Sequence, residues 1–277
     1  MSPAIRRHGR WRKRWRYVAA FADEVMACAA RVEIGPLGQT FWAIVDRSSG
    51  ELVERTRARL PGARGEVRAT PPGTDLEDVC GSHAYGGVVE IAAPGARGTI
   101  RLGEGKAIEA RCRARGGGEV WTRKRAGVPA DLDLRLADGR RWRARALGVE
   151  DETCGYHPRR TVWRWSAGAG AAADGRPVAW NLVEGINDPE IGSERAIWIS
   201  GEPFEPAPVA FEGLEAIGFA DGSRLAFTAE AERSRAERRL GVSYRYRQPF
   251  GTFIGTLPGG IALAAGLGVM EHHDAVW

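Results

Sequence analysis

Several common sequence signatures are missing from this chain of 277 residues. No stretch approaches the roughly 18 consecutive apolar residues of a membrane-spanning helix. The basic N-terminus lacks the apolar segment of a secretory signal. There is no G-x-S-x-G serine elbow, and the glycine clusters lack the strand-and-helix context of a nucleotide site. These absences favour a cytoplasmic protein without integral membrane contact, and they argue against serine hydrolases and nucleotide-binding enzymes.

Cysteine is also scarce. The chain has four cysteines, which form no C-x-x-C pair and have no zinc-ligand spacing: Cys28, Cys80, Cys112 and Cys154. We therefore predict reduced and mostly buried thiols rather than disulfides.

The segment E-H-H-D at residues 271–274 raises the question of a metal site. On a strand, Glu271 and His273 face one side while His272 and Asp274 face the other, so one site receives at most two ligands from this segment. No chelating motif is complete, and we predict neither a metal nor another cofactor. The alternative for His273 is a place in the wall of a cavity.

The net charge of +5 comes from arginine, because lysine is scarce. Two arginine runs alternate with tryptophan, R-R-H-G-R-W-R-K-R-W-R near the N-terminus and R-R-W-R-A-R-A at residues 140–146. Such runs can stack on single-stranded nucleic acid. Strict alternation also places aromatic residues inward and arginines outward on a solvated strand face. We favour the second interpretation and predict no nucleic-acid partner.

What the sequence has in quantity is β-strand pattern. The residues Trp11, Lys13, Trp15 and Tyr17 alternate with arginines at period two, which predicts a strand. Asp-Gly dipeptides at residues 138–139, 174–175 and 221–222 each separate two strand-like runs, and we predict hairpins with type I′ turns there. Residues 229–240 fit either a long exposed strand or a short helix.

Many short strands without a β–α–β rhythm predict an all-β protein, an antiparallel barrel or sandwich. A change of composition near residue 147 predicts two β halves, residues 1–147 and 148–277. No internal repeat is evident.

Several long motifs carry a family resemblance. They include R-K-R-W-R-Y-V-A-A-F, T-F-W-A-I-V-D-R, Y-H-P-R-R-T-V-W-R-W-S-A-G, W-N-L-V-E-G-I-N-D-P and G-V-M-E-H-H-D-A-V-W. From about residue 10 onward the chain resembles a bacterial family known as domain of unknown function 2804. That family is distantly similar to calycin-related, lipocalin-like proteins such as carotenoid 1,2-hydratases. The resemblance implies two lipocalin-like antiparallel β halves in one chain, and no established reaction.

Candidate chemistry concentrates on the strands that flank Asp174-Gly175. If the tryptophan face of each strand points into the barrel, Glu184 enters with Trp180. A carboxyl group in an apolar cavity has a raised pKa and can act as a general acid. The alternative is that Glu184 forms a structural ion pair with Arg159, Arg160 or Arg195.

These considerations lead to three hypotheses. The favoured one is a protein that binds a lipophilic small molecule, such as an isoprenoid or fatty acyl compound, in an apolar cavity. The second is a cofactor-free hydratase, isomerase or cyclase, and the third a non-catalytic protein-interaction module. The candidate catalytic residues are Glu184, His157 and Tyr156. The candidate ligand-binding residues are Trp163, Trp165, Trp180, Asn181 and His273.

Overall fold

The computed structural model describes residues 4–7, 9–59, 66–70, 87–114, 117–239 and 242–276, and all their regular structure is β. A two-stranded ribbon, β1 (Arg6–Arg7) and β2 (Arg10–Trp11), comes first. The first large sheet contains β3 (Lys13–Phe21), β4 (Val25–Ile34), β5 (Leu37–Asp46), β6 (Glu51–Arg59), β7 (Val67–Thr70), β8 (Gly87–Ala92), β9 (Ala96–Leu102), β10 (Ile108–Arg113), β11 (Glu119–Leu136) and β12 (Arg141–Gly155).

The second large sheet contains β13 (Arg160–Ala172), β14 (Pro177–Glu184), β15 (Ala196–Ile199), β16 (Glu202–Phe204), β17 (Ala210–Glu212), β18 (Ala216–Gly218), β19 (Arg224–Arg239), β20 (Val242–Leu257) and β21 (Ile261–Val276). We call the parts of the chain that carry the two sheets the first half and the second half. The predicted boundary at residue 147 falls inside β12, and the change of sheet comes between Gly155 and Arg160.

The two sheets share one topology. The strand order is β6-β5-β4-β3-β12-β11-β9-β8-β7 in the first, where β10 also pairs with β11, and β16-β15-β14-β13-β21-β20-β19-β18-β17 in the second. In each sheet, the three strands that follow the first strand in the chain lie on one side of it, and the last strand lies on its other side. Every pairing is antiparallel, and β7 returns to lie against β4 and β5, which curls the first sheet.

Both faces of the central strands are buried, which creates three hydrophobic cores. On β3, Val18 and Ala20 point into the curl of the first sheet, while Tyr17 and Ala19 point to the second sheet. The second sheet has its own interior around Trp180. The core between the sheets contains residues from both halves, so the sheets pack back to back.

The predicted solvated arginine face of β3 is wrong. Arg14 and Arg16 are 8% and 6% exposed because the even face of β3 lies inside the first half. Arg16 contacts Glu150 at 2.6 Å and Glu152 at 3.4 Å. Buried charges require such partners. In residues 140–146 the prediction is right, since Arg141, Arg143 and Arg145 are exposed.

All three Asp-Gly hairpins form, but with a turn other than type I′. In each, the aspartate does not have positive φ, the glycine does, and a three-residue loop connects the strands. The Asp174 carboxylate accepts a hydrogen bond from the Arg176 backbone N–H at 3.1 Å. Asp138 and Asp221 accept equivalent bonds. The aspartate therefore caps the loop instead of adopting the left-handed conformation.

Two further expectations have a clear outcome. Residues 229–239 belong to strand β19, so the helical alternative is wrong. Cys28 and Cys112 are free, buried thiols as predicted, whereas Cys154 is disulfide-bonded, against the prediction. Cys80 lies outside the described residues.

Candidate functional site

A cavity of about 470 Å³ lies between the two sheets. Its volume is within the range of pockets that hold drug-sized ligands. Its wall contains side chains from β3, β4, β5, β6 and β12 of the first half, and from β13, β19, β20 and β21 of the second. The apolar and aromatic part of this wall consists of Trp15, Tyr17, Ala30, Val32, Ile34, Leu37, Phe41, Ala58, Trp163, Trp165, Ile186, Tyr244 and Tyr246.

The first strands of the two halves face each other across the cavity with matching aromatic residues. On β3 the sequence is Trp-Arg-Tyr, and on β13 it is Trp-Arg-Trp. Trp15 stacks on Trp163 with ring centroids 6.4 Å apart, and Tyr17 meets Trp165 edge to face at 5.4 Å. Alternation along each strand sends both aromatics of the motif to the same side.

The last strands contribute one carboxylate each at matching positions. Asp151 on β12 lies opposite Tyr17 in the ladder, and Glu271 on β21 lies opposite Trp165. Both carboxylates line the cavity and are 9% exposed. The flanking residues match as well, because Val149 and Val269 both belong to the core between the sheets. The two halves therefore place an aromatic side chain and a carboxylate at matching positions of the same strand arrangement.

The two carboxylates have different neighbours on the adjacent strand. Lys124, which is 1% exposed, forms an ion pair with Asp151 and a second one with Glu194 at 3.3 Å. Burial alone would lower the pKa of Lys124, but the two carboxylates outweigh burial and raise that pKa. Burial raises the pKa of Glu194, which also accepts a hydrogen bond from the Asn187 amide at 3.0 Å. This cluster ties the two halves together.

Glu271 has neutral hydrogen-bond donors instead of a cation. The Trp163 indole N–H donates to its Oε1 at 2.8 Å, and the Gln248 amide donates to its Oε2 at 2.9 Å. Burial raises the pKa of Glu271 to about 7, because these bonds do not compensate for lost hydration. The carboxyl can therefore hold or release a proton near neutral pH.

The one fully buried cation in the described wall of the cavity, Arg233, is already engaged. It bonds to Glu54 at 2.6 Å and donates to the Tyr246 hydroxyl at 2.9 Å. Its guanidinium lies over the Phe41 ring, 4.1 Å from the centroid. Burial opposes its charge, but Tyr246, Cys28 and Glu54 together raise the pKa of Arg233.

Three of the five predicted ligand-binding residues line this cavity: Trp163, Trp165 and His273. The His273 ring packs on Trp163 with centroids 4.1 Å apart, and burial lowers the pKa of His273 to about 3. Asn181 lies behind the wall, where its Oδ1 accepts the Trp165 indole N–H at 2.8 Å. Trp180 points the other way, into the interior of the second half.

The three predicted catalytic residues do not line the cavity. Glu184 is partly exposed and pairs with Arg164 at 2.9 Å, an ion pair of the kind considered above with a different arginine. His157 is buried behind Trp15, on which it stacks at 5.2 Å. The Tyr156 hydroxyl donates to the carbonyl of Ala4 at 2.5 Å.

The length of the turn explains why Glu184 does not face the cavity, as the sequence predicted it would. With a two-residue loop, Trp165 would lie opposite Glu184 and both tryptophan faces would coincide. The three-residue loop moves every partner by one, so Trp165 lies opposite Val183 and Arg164 opposite Glu184. Trp180 and Glu184 do share a face, but it is the face away from the cavity.

Sequence reasoning missed five polar residues of the cavity wall: Tyr17, Asp151, Glu194, Arg233 and Tyr246. From the sequence, Glu271 is a candidate only as a metal ligand, on the same strand face as His273. Among the described residues no three histidine, cysteine, aspartate or glutamate side chains are grouped as metal ligands. No helix within the described ranges has the length and apolarity to cross a membrane.

Comparisons with known proteins agree on the fold. Kievitone hydratase from Nectria haematococca has a TM-score of 0.57 at 8% identity, covering 96% of this chain and 88% of that chain. A protein proposed to be AttH from Nitrosomonas europaea has a TM-score of 0.52 at 13% identity, with coverages of 94% and 92%. CghA has a TM-score of 0.51 at 11% identity, with coverages of 96% and 88%. The predicted all-β fold of two lipocalin-like antiparallel halves is confirmed.

The sequence itself is similar to one family. No curated protein matches the chain. A family profile described as "Domain of unknown function (DUF2804)" matches residues 120–277, more than half of the chain, and includes the strands that carry Asp151, Gln248 and Glu271. The family resemblance is therefore confirmed over residues 120–277, and the chain belongs to the DUF2804 family.

Proposed function

We propose that this protein binds a lipophilic small molecule in the cavity between its two sheets. The observation that carries the proposal is the composition of the wall, in which aromatic and aliphatic side chains surround a few buried polar groups. Pockets for small apolar ligands have this composition. The rim includes the exposed Leu37, Ala58 and Arg235, whereas Asp151 and Glu271 are buried.

Native mass spectrometry of the purified protein, followed by organic extraction, tests this proposal. A co-purifying lipophilic compound, or one taken up from isoprenoid and fatty-acyl mixtures, supports it. Ala58→Trp on the rim should then prevent uptake by blocking the cavity. The neighbouring Arg57 does not line the cavity, so Arg57→Trp adds the same ring without blocking it. Equal uptake by both variants, or none by the wild type, contradicts the proposal.

Glu271 favours a second candidate function, cofactor-free proton transfer. Its carboxyl group has a pKa of about 7 and lies beside Trp163 and Trp165. Such a group can protonate a carbon–carbon double bond, and aromatic faces can stabilise the resulting cation. Water then adds to the cation and returns one proton to the Glu271 carboxylate, which gives net hydration. One solved protein of similar fold is by name a hydratase.

Turnover by Glu271→Gln tests the catalytic candidate. The amide cannot donate the proton, so the variant should bind the ligand but lose turnover, with about a hundredfold or greater fall in rate. Glu184→Gln is the matched control, since its ion pair with Arg164 lies outside the cavity. Unchanged turnover in Glu271→Gln excludes Glu271 as the acid.

A further inference from the structure

One polar group in the cavity has no role in the interactions described above. Tyr17 is 5% exposed and lines the cavity, and its hydroxyl oxygen is buried with only the Cys28 thiol, a weak hydrogen-bonding group, beside it. Its ring is held by Trp165, edge to face at 5.4 Å, and by Phe41 at 6.3 Å. A buried hydroxyl without a partner is unfavourable, and nearly all such groups in proteins are hydrogen-bonded.

A ligand in the cavity can supply a stronger partner. Of the two roles that a phenol can take, the donor role suits this environment, because the nearby acidic groups favour its protonated form. Burial raises the pKa of Tyr17 well above its usual value, and Cys28, Tyr246 and Glu271 raise it further. The hydroxyl keeps its proton at physiological pH and can donate a hydrogen bond to an acceptor atom, most simply a ligand oxygen.

The charges around the cavity indicate which kind of ligand oxygen the cavity can hold. Asp151, Glu194 and Glu271 line the buried part, so a ligand carboxylate would meet like charge there. The buried Arg233 is already paired with Glu54, and at the rim Arg235 is paired with Glu237. A fatty-acid carboxylate therefore has no uncommitted cation among the described lining residues.

We propose that the ligand is a neutral lipophile with a carbonyl or hydroxyl oxygen, and that Tyr17 selects it by donating a hydrogen bond to that oxygen. This inference rests on the proposed binding function. According to this inference, neither free fatty acids nor pure hydrocarbons are the preferred ligands. Tyr17 then acts as a specificity-determining residue rather than as part of the acid.

Four probes with one carbon skeleton test the selection: farnesene, farnesol, farnesal and farnesoic acid. Binding is followed by quenching of tryptophan fluorescence, since Trp15, Trp163 and Trp165 line the cavity. In the wild type at pH 8, farnesol and farnesal should bind about threefold to tenfold tighter than farnesene, as one hydrogen bond allows. Farnesoic acid should bind most weakly of the four.

Tyr17→Phe should remove that preference. The variant should bind farnesene as the wild type does, and farnesol and farnesal no better than farnesene. Its thermal midpoint should change little, because in the empty protein the hydroxyl has only the weakly hydrogen-bonding Cys28 thiol beside it. Farnesoic acid that binds as tightly as farnesol, or a preference that survives in Tyr17→Phe, overturns the inference while binding stands. If no probe binds to the wild type, the proposed binding function fails, and the inference fails with it.

Discussion

The two halves of this molecule use one framework for different purposes. Each places an aromatic residue on its first strand opposite a carboxylate on its last strand, Tyr17 with Asp151 and Trp165 with Glu271. In the first half the adjacent strand supplies Lys124, and Asp151 becomes part of an ion pair. In the second half it supplies Gln248, and Glu271 becomes a carboxyl group with a pKa of about 7.

The interiors of the two halves also differ in how many buried charges they contain. Inside the first half Glu150 contacts the buried Arg16 and Arg125, whereas the matching position on β21 is Met270, in an apolar interior. The first half therefore concentrates paired charges, and the second half packs aromatic residues around Trp180. Charge pairing makes one carboxylate structural, and its absence leaves the other available for chemistry.

Removing the buried cation Lys124 of the first half should have the largest effect on stability. Lys124→Gln makes the two halves alike and leaves Asp151 and Glu194 buried without their cation. The free energy of unfolding at pH 7 should fall by about 3–5 kcal/mol. Part of the loss should be recovered as the pH falls and the carboxylates gain protons. Denaturant titration at several pH values measures both effects.

Lys106→Gln is the matched control for Lys124→Gln. Lys106 also joins the two halves, by an ion pair with Glu202, but the two side chains are 62% and 68% exposed. Such pairs contribute less than about 1 kcal/mol. Equal losses in the two variants would contradict the structural role of the buried cluster.

The pH dependence of stability should separate Glu271 from the paired carboxylates. Its folded pKa of about 7 exceeds the unfolded value of about 4.3, so its contribution is fully present below pH 4.3 and is lost as the pH rises through 7. Between these limits the wild type should lose about 3–4 kcal/mol more than Glu271→Gln. Parallel stability curves for the two proteins would show that Glu271 titrates normally.

A change of packing in the interior of the second half should have a smaller effect on stability. A Cβ atom at Gly168 would lie 2.3 Å from the Trp180 ring, whereas the matching position in the first half, Ala20, lies opposite Ala27. Gly168→Ala should cost about 1–3 kcal/mol by overpacking. The cost should shrink in a Trp180→Leu background, which a double-mutant cycle in denaturant measures. An undiminished cost would mean that the backbone, not Trp180, requires glycine.

Much of the fold was predictable, because alternation and the Asp-Gly pairs report strands and hairpins directly. The site was harder for two physical reasons. One additional loop residue, Ala173 before Asp174, reverses which face Trp180 and Glu184 occupy, and composition does not reveal loop length. The internal repeat is also concealed, because the first half has one more strand than the second, which changes the spacing between matching residues.

The neighbour of Glu271 was a further unknown. Gln248 and Glu271 are distant in the sequence, and only the pairing of β20 with β21 brings them together. Likewise, Arg16 was expected in solvent because a sheet buried on both faces looks, in the sequence, like a sheet with one wet face. The pairing of strands that are distant in the sequence decides which carboxylate is neutralised. Local sequence patterns carry no information about that pairing.

Infrared spectroscopy of the carboxyl C=O stretch, across pH 5–9, tests the central claim most directly. Glu152 is a second buried carboxyl with a pKa of about 7, so the spectrum of Glu271→Gln is subtracted from that of the wild type. In the difference the account predicts a protonated-carboxyl band that disappears with a midpoint of about 7. Gln248→Lys, which gives the second half the cation of the first, should move that midpoint to lower pH. A difference spectrum without the band at pH 6, or a midpoint unchanged by Gln248→Lys, would contradict the account.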